Sequence, residues 1–185
     1  MAKLGGEIAA PLADGRVLRV RDAHARDARP LARLLDAVAA EQTVTLLMLP
    51  GQFGAGVWRR RIAEALGDPR CLQLSADLDD ELVGNLGLRP DAHPCSGHVA
   101  VVGMSVGERW RGLGVGGALL EAAASWAAAH AVGKLTLGVF PENLRAVGFY
   151  ERHGFAREGL RRAQYDRAGR YHDEVLMARF LTPVS

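Results

Sequence analysis

The chain has 185 residues, 49% hydrophobic and 24% charged, with 23 Lys+Arg against 21 Asp+Glu and a net charge of +2. A chain of this size can bury roughly 70% of its unfolded surface in one domain, so neither a disulfide nor a metal is required for stability. The dispersed, nearly balanced charge argues against nucleic acid. The tightest basic cluster, Arg59-Arg60-Arg61, falls in a helical segment where successive side chains diverge. The opening MAKLGGEIAAPLADG has no apolar run near the ~18 residues of a membrane span. Cys71 and Cys95 read as two reduced thiols, and the expected setting is the cytoplasm.

Residues 1–15 are expected to form an irregular extension of one domain spanning 1–185. Residues 16–21 alternate charged and apolar side chains, the period of a half-buried strand. Residues 28–40 place Leu31, Leu34, Leu35 and Val38 at helical spacing, with Asp27 as cap and Pro30 in the first turn. Residues 41–56 carry no regular period. Leu46-Leu47-Met48-Leu49 is apolar, while Pro50-Gly51 and Gly54 interrupt any element, giving a sticky loop or short helix that could support a homodimer. A second helix over 57–66 is closed by Gly67 and Pro69. Strands over 71–76, 81–88 and 98–106, with short connections, should run antiparallel.

The period then changes. Residues 114–131 place Val115, Leu119, Ala122 and Trp126 on one helical stripe, stopped by Gly133. A strand over 134–140 completes a β–α–β unit with parallel strands. Asn143 caps a helix to His153, Gly154 ends it, and strands over 155–163 and 170–180 close the chain around a turn at 166–169. The fold class is therefore α/β (α+β), a mixed sheet of about seven strands with helices on it.

The chemistry concentrates in residues 101–120, where a strand enters the turn Gly107-Glu-Arg-Trp-Arg-Gly-Leu-Gly114 and a long helix begins. Backbone N–H groups at a helix start have no internal partners and sit at the positive end of the dipole, so such a turn can hold phosphate. Gly112, Gly114, Gly116 and Gly117 permit close approach, and Arg111 adds charge. A Walker A loop is excluded because Ala118-Leu119 follows Gly117 where Lys-Ser/Thr is needed. Gly112-x-Gly114-x-x-Gly117 fits a dinucleotide fingerprint in letters only: it follows four strands, and too little chain remains for a doubly wound sheet, which disfavours an NAD(P) oxidoreductase.

Arg111-x-x-Gly114-x-Gly116, between strand and helix, resembles the acyl-CoA signature of the GNAT superfamily of N-acetyltransferases. The likeness continues in Asn143-x-x-Ala146-x-x-Phe149-Tyr150-x-x-x-Gly154-Phe155, and spans 16–180, most fully 98–155. Asp14-Gly15-Arg16, Glu158-Gly159 and Tyr171-x-Asp173-x-x-x-Met177 are similar to a bacterial subgroup acting on small amines, amino acids or protein N-termini.

The resemblance implies a GNAT-like, mostly antiparallel sheet and acetyl-CoA as cosubstrate, without a metal. It implies backbone contacts to the pantetheine arm from Met104 and Val106, on a strand bulged to aim an amide at the thioester oxygen. The pyrophosphate would lie on Arg111, Gly112, Leu113, Gly114, Val115, Gly116 and Gly117, and Asn143 would touch the cofactor arm. Tyr150 would protonate the departing thiolate, with Phe149 supplying the packing. Glu41, His98, His172, Asp173, Glu174 or a water chain could serve as base. Residues 41–53 and the last hairpin should line the acceptor side. His93-x-Cys95-x-x-His98 lacks an obvious fourth metal ligand, and Trp110 either packs or touches adenine. The implied reaction is acetyl transfer to a primary amine by direct attack; the alternative is a silent acyl-CoA-binding sensor.

Overall fold

The computed structural model describes residues 3–41, 49–167 and 169–181. Leu46, Leu47 and Met48 of the apolar run lie outside the described residues; Leu49 is exposed. The elements are β1 (Ile8–Pro11), β2 (Val17–Asp22), α1 (Ala28–Ala39), α2 (Ala55–Gly67), β3 (Leu72–Leu78) and β4 (Glu81–Pro90). Then come β5 (Val99–Val106), α3 (Val115–Ala129), β6 (Lys134–Val139), α4 (Leu144–Arg152), β7 (Ala156–Arg167) and β8 (Arg170–Phe180). The strands form one sheet ordered β1-β2-β3-β4-β5-β6-β8-β7, antiparallel except where β5 meets β6.

This mixed, mostly antiparallel sheet matches the expected fold class, with eight strands in place of about seven. The added strand corrects the expectation for residues 1–15. Ile8–Pro11 pairs with β2, covering an edge whose N–H and C=O groups would otherwise lie open. Ahead of it, the N–H groups of Lys3 and Leu4 donate to Asp22 Oδ2 at 2.7 and 3.0 Å. The Lys3 ammonium reaches the carbonyls of Ala65, Asp68 and Cys71, at and beyond the end of α2, where a cation favours the helix dipole.

Helices cover both faces of the sheet. On one face, Leu119, Leu120 and Trp126 of α3 and Val147 and Tyr150 of α4 pack with Leu74, Leu86, Val102 and Leu137. On the other, α1 and α2 join a smaller cluster of Leu31, Leu35, Trp58 and Ile62. Asp79 and Asp80, both at positive φ, make the tight β3–β4 turn that fixes the pairing around it.

Asp27 does not cap α1 with its side chain, contrary to expectation. Its carboxylate accepts Arg21 Nη1 at 2.7 Å, Arg21 Nη2 at 3.0 Å, His24 N at 2.7 Å and Ser75 Oγ at 3.2 Å. Arg21 Nε also donates to Asp77 Oδ2 at 2.7 Å. A cation buried on β2 needs a close counter-charge, and that demand outweighs a helix cap. Cys71 is buried and Cys95 exposed, with no disulfide between them. His93 Nδ1 accepts the Cys95 N–H at 3.2 Å in a short turn, and no metal-holding group occurs among the described residues. No described helix is long and apolar enough to cross a membrane.

Candidate functional site

β5 and β6 pair only from Val99↔Lys134 to Val101↔Thr136 and then part. Beyond Val101 the β6-facing edge of β5 has no strand beside it, and a groove of about 1320 Å³ opens there. Met104 and Val106 line it from β5, Gly138 and Phe140 from β6 and its end, and Asn143, Phe149 and Tyr150 from the α4 side. The β4–β5 register runs unbroken from Gly84↔Val106 to Pro90↔Ala100, so the expected bulge in this strand is absent. The divergence of β6 leaves this edge of β5 without a neighbouring strand, and Arg111 takes the Val106 carbonyl.

The glycine-rich turn closes one end of the groove. Arg111, Gly112, Gly114, Gly116 and Gly117 line it, whereas Val115 is buried in the core and Leu113 packs against it. Leu113 and Val115 can therefore offer the groove only their backbone. Gly112 at φ +82° and Gly114 at φ +108° take left-handed conformations that a side chain would strain. None of the N–H groups from Gly112 to Gly117 has a partner among the described residues, leaving an unsatisfied row at the start of α3. The N-terminal segment braces this turn: Ala13 N donates to the Leu113 carbonyl at 3.0 Å.

Gly116 and Gly117 have a further reason to be glycine. A Cβ at Gly116 would stand 3.2 Å from the Phe149 ring, and one at Gly117 would stand 3.2 Å from His153 Nε2. The close approach there is by α4, which brings Tyr150 to the groove. Asn143 Oδ1 accepts the Ala146 N–H at 3.1 Å, capping α4 as expected. Arg111 Nε donates to the Val106 carbonyl at 2.9 Å, and its guanidinium grips both oxygens of Glu41. Arg145 is a cation that sequence reasoning missed: its Nη2 stands 3.8 Å from where a Cβ of Gly112 would be. Arg145→Glu should weaken CoA binding about tenfold or more at low salt and leave the melting temperature unchanged. Calorimetry at two ionic strengths checks this.

Tyr150 is 8% exposed, edge to face with Phe149 and Phe155 at 5.2 and 5.4 Å between ring centres. Burial pushes its phenol up to about 12, so the group stays protonated at any working pH. Trp110 does not line the groove; its ring carries the Arg16 and Arg109 guanidiniums.

The opposite face of the sheet carries polar side chains that only the register reveals. Arg21 pairs with Ser75, Ser75 with Asn85 and Asn85 with Ser105, so four polar residues line up across β2 to β5. A Cβ at neighbouring Gly84 would meet Leu119 and Val115 of α3, which puts the polar row on the α1–α2 face. Asn85 Oδ1 is buried without a partner.

Across the opening, β8 places His172 and Glu174 at alternate positions on that same face. Glu174, 4% exposed, accepts Arg161 Nη1 and Tyr165 O–H, each at 3.0 Å. A Cβ at Gly138 would fall 1.8 Å from Glu174 Oε1, so this glycine seats the carboxylate. His172, also 4% exposed, lies 5.4 Å from the Phe140 ring centre, and its Nδ1 has no hydrogen-bond partner. Its nearest carboxylate is Glu142, at 3.6 Å. Of the other proposed bases, Glu41 is held by Arg111, Asp173 accepts the Ala163 N–H at 2.8 Å, and His98 is exposed outside the groove.

An open strand pair thus stands beside a turn of unpartnered N–H groups, with a buried phenol on one face and His172 and Glu174 on the other. The Acetyltransferase (GNAT) family matches residues 42–155. L-amino acid N-acetyltransferase AaaT of Escherichia coli (strain K12) is 34% identical over 127 residues, covering 66% of this chain and 75% of that one. A GNAT-family acetyltransferase structure from Streptococcus pneumoniae, 25% identical, superposes with a TM-score of 0.79 over 88% of this chain and 98% of that one. A putative acetyltransferase from Salmonella typhimurium, solved with its cofactor acetyl-CoA, shares the fold at 14% identity and a TM-score of 0.78, over 91% and 96% of the two chains. These likenesses disfavour a silent sensor. The chain belongs to the GNAT acetyltransferase family and is an acetyl-CoA-dependent N-acetyltransferase.

Proposed function

We propose that the protein acetylates the primary amine of a small amino-acid-like acceptor by direct attack in the β5–β6 opening. The observation that carries this reading is the placement of Tyr150 on one face of the opening and His172 on the other, both lining one groove. The 34% identity to an L-amino acid N-acetyltransferase supports the acceptor class. Cytoplasmic location and self-association belong to the same reading as sequence-based expectations.

Acetyl-CoA, when bound, supplies an activated acyl carbon and a thiolate leaving group. The N–H groups of residues 112–117, with Arg145 above them, hold the pyrophosphate, and the free edge of β5 at Met104 and Val106 orients the arm. As the C–N bond forms, His172 takes the proton from the amine. As the C–S bond breaks, Tyr150 gives its proton to the sulfur. Glu174, fixed by Tyr165 and Arg161, keeps the His172 side of the opening polar for the neutral amine that attacks.

His172→Ala should lower turnover about 10²–10⁴-fold, and added imidazole should restore part of it. A wild-type rate in the variant removes His172 from the chemistry. Thiol release with a panel of amines tests the reading as a whole.

A further inference from the structure

Next to the polar row, two glycines meet on the acceptor face. Gly87 of β4 pairs with Gly103 of β5. A Cβ at Gly103 would have nothing within 4 Å, while one at Gly87 would meet the Gln73 side chain at 2.9 Å. The floor is bare backbone at Gly103, where a small ligand can lie, and the Gln73 side chain covers it at Gly87. Arg89 stands two residues beyond Gly87 on the same face, and Trp58 and Arg61 of α2 line the same part of the groove.

The charges here are unbalanced. Arg61 has no carboxylate within 4 Å among the described residues; its guanidinium lies over the Phe53 ring at 4.1 Å and the Trp58 ring at 5.4 Å. The nearest carboxylate to Arg89 is Glu64, 3.9 Å away and not part of the groove lining. Burial, and then the charge of Arg89, hold the Arg61 guanidinium below its ordinary pKa against the opposing pull of Glu64. Trp58 is 4% exposed, and its indole N–H has no partner. Asn85 Oδ1, farther along β4 toward the opening, is an equally buried acceptor without a donor. Buried polar groups are normally satisfied, so an orphaned indole N–H beside two arginines without a close carboxylate describes a missing anion.

We infer that Arg61, Arg89 and the Trp58 N–H form a carboxylate site, which selects α-amino acids by holding the acceptor's carboxylate while its amine turns into the β5–β6 opening that begins beyond Val101. Arg89 pairs with Val101, the last β5 residue beside β6, so the opening begins next to the carboxylate site and the short span of an α-amino acid suffices. Two guanidiniums suit a carboxylate because each presents paired donors to it. The inference rests on the amine-acetylation reading and adds the determinant of acceptor choice.

The test compares kcat/KM for protein L-amino acids, each beside its own α-amide, which keeps the amine and side chain but loses the negative charge. The wild type should prefer the acid by at least about tenfold, since charge-assisted hydrogen bonds are worth about 10- to 100-fold each. Arg61→Gln and Arg89→Gln should each cut the acid-to-amide ratio about tenfold or more, while Arg61→Lys and Arg89→Lys keep part of it. Melting temperature and acetyl-CoA affinity, measured on every variant, separate misfolding from lost recognition. Equal rates for acid and amide in the wild type, or Gln variants that keep its ratio, overturn the carboxylate site. Absence of thiol release with every amine, acid and amide alike, overturns the amine-acetylation reading itself.

Discussion

Tyr150→Phe should melt like the parent and bind acetyl-CoA equally well, yet turn over about 10²–10⁴-fold more slowly. The substitution keeps the ring, its edge-to-face contacts with Phe149 and Phe155, and the burial that α4 imposes. It removes one hydroxyl, the group that would donate to the leaving sulfur. Alkaline titration gives a second readout from the same variant. Burial raises the Tyr150 phenol to about 12, as burial and then the Glu174 hydrogen bond raise Tyr165. A folded-state pKa raised above the unfolded value near 10 contributes stability that is complete below ~10 and lost as pH climbs toward about 12. In the Phe variant, part of the phenolate signal appearing near 12 should be missing. Wild-type turnover in the variant, with chemistry shown to be rate-limiting, would reduce Tyr150 to packing.

Arg21→Met should cost about 3–5 kcal/mol, because it strands the buried carboxylate of Asp27 without its cation and leaves Asp77 only Arg19, at 3.6 Å. For a domain of this size that is a fall in melting temperature of roughly 6–20 °C. Burial alone would raise the Asp27 carboxyl, but hydrogen bonds from Arg21 and the His24 N–H outweigh it and hold the pKa below the ordinary value. A depressed carboxylate contributes stability above an unfolded pKa near ~4 that is lost as pH falls through the folded one. The gap between parent and variant should therefore narrow in acid, and Arg21→Lys should recover part of the loss. Melting curves at several pH values measure both.

What the sequence made legible was what local physics writes in runs. The turn from Arg111 to Gly117, the cap at Asn143 and the order of elements from α1 to β8 depend on periodicity, glycine and capping within a few residues. β1 was not legible: Ile8-Ala-Ala-Pro11 is a strand because the edge of β2 recruits it. Asp27 was misread as a cap because its partner, Arg21, sits on another element. The acceptor face was the least legible part. Ser75, Asn85 and Ser105 are ordinary polar residues scattered over three strands, and only register makes them neighbours. His172 and Glu174 could be named by type, but the space that Gly138 leaves for Glu174 is a tertiary fact. Gly116 and Gly117 pointed to a phosphate turn and also proved to be the contact that brings α4 close.

The most direct test of the account is a crystal structure of the protein with CoA bound. It should place the pyrophosphate on the N–H groups of residues 112–117 and the sulfur in the β5–β6 opening, within hydrogen-bond reach of the Tyr150 hydroxyl. A sulfur lying outside that opening, with Tyr150 enclosed by packing and unable to reach it, would contradict the account.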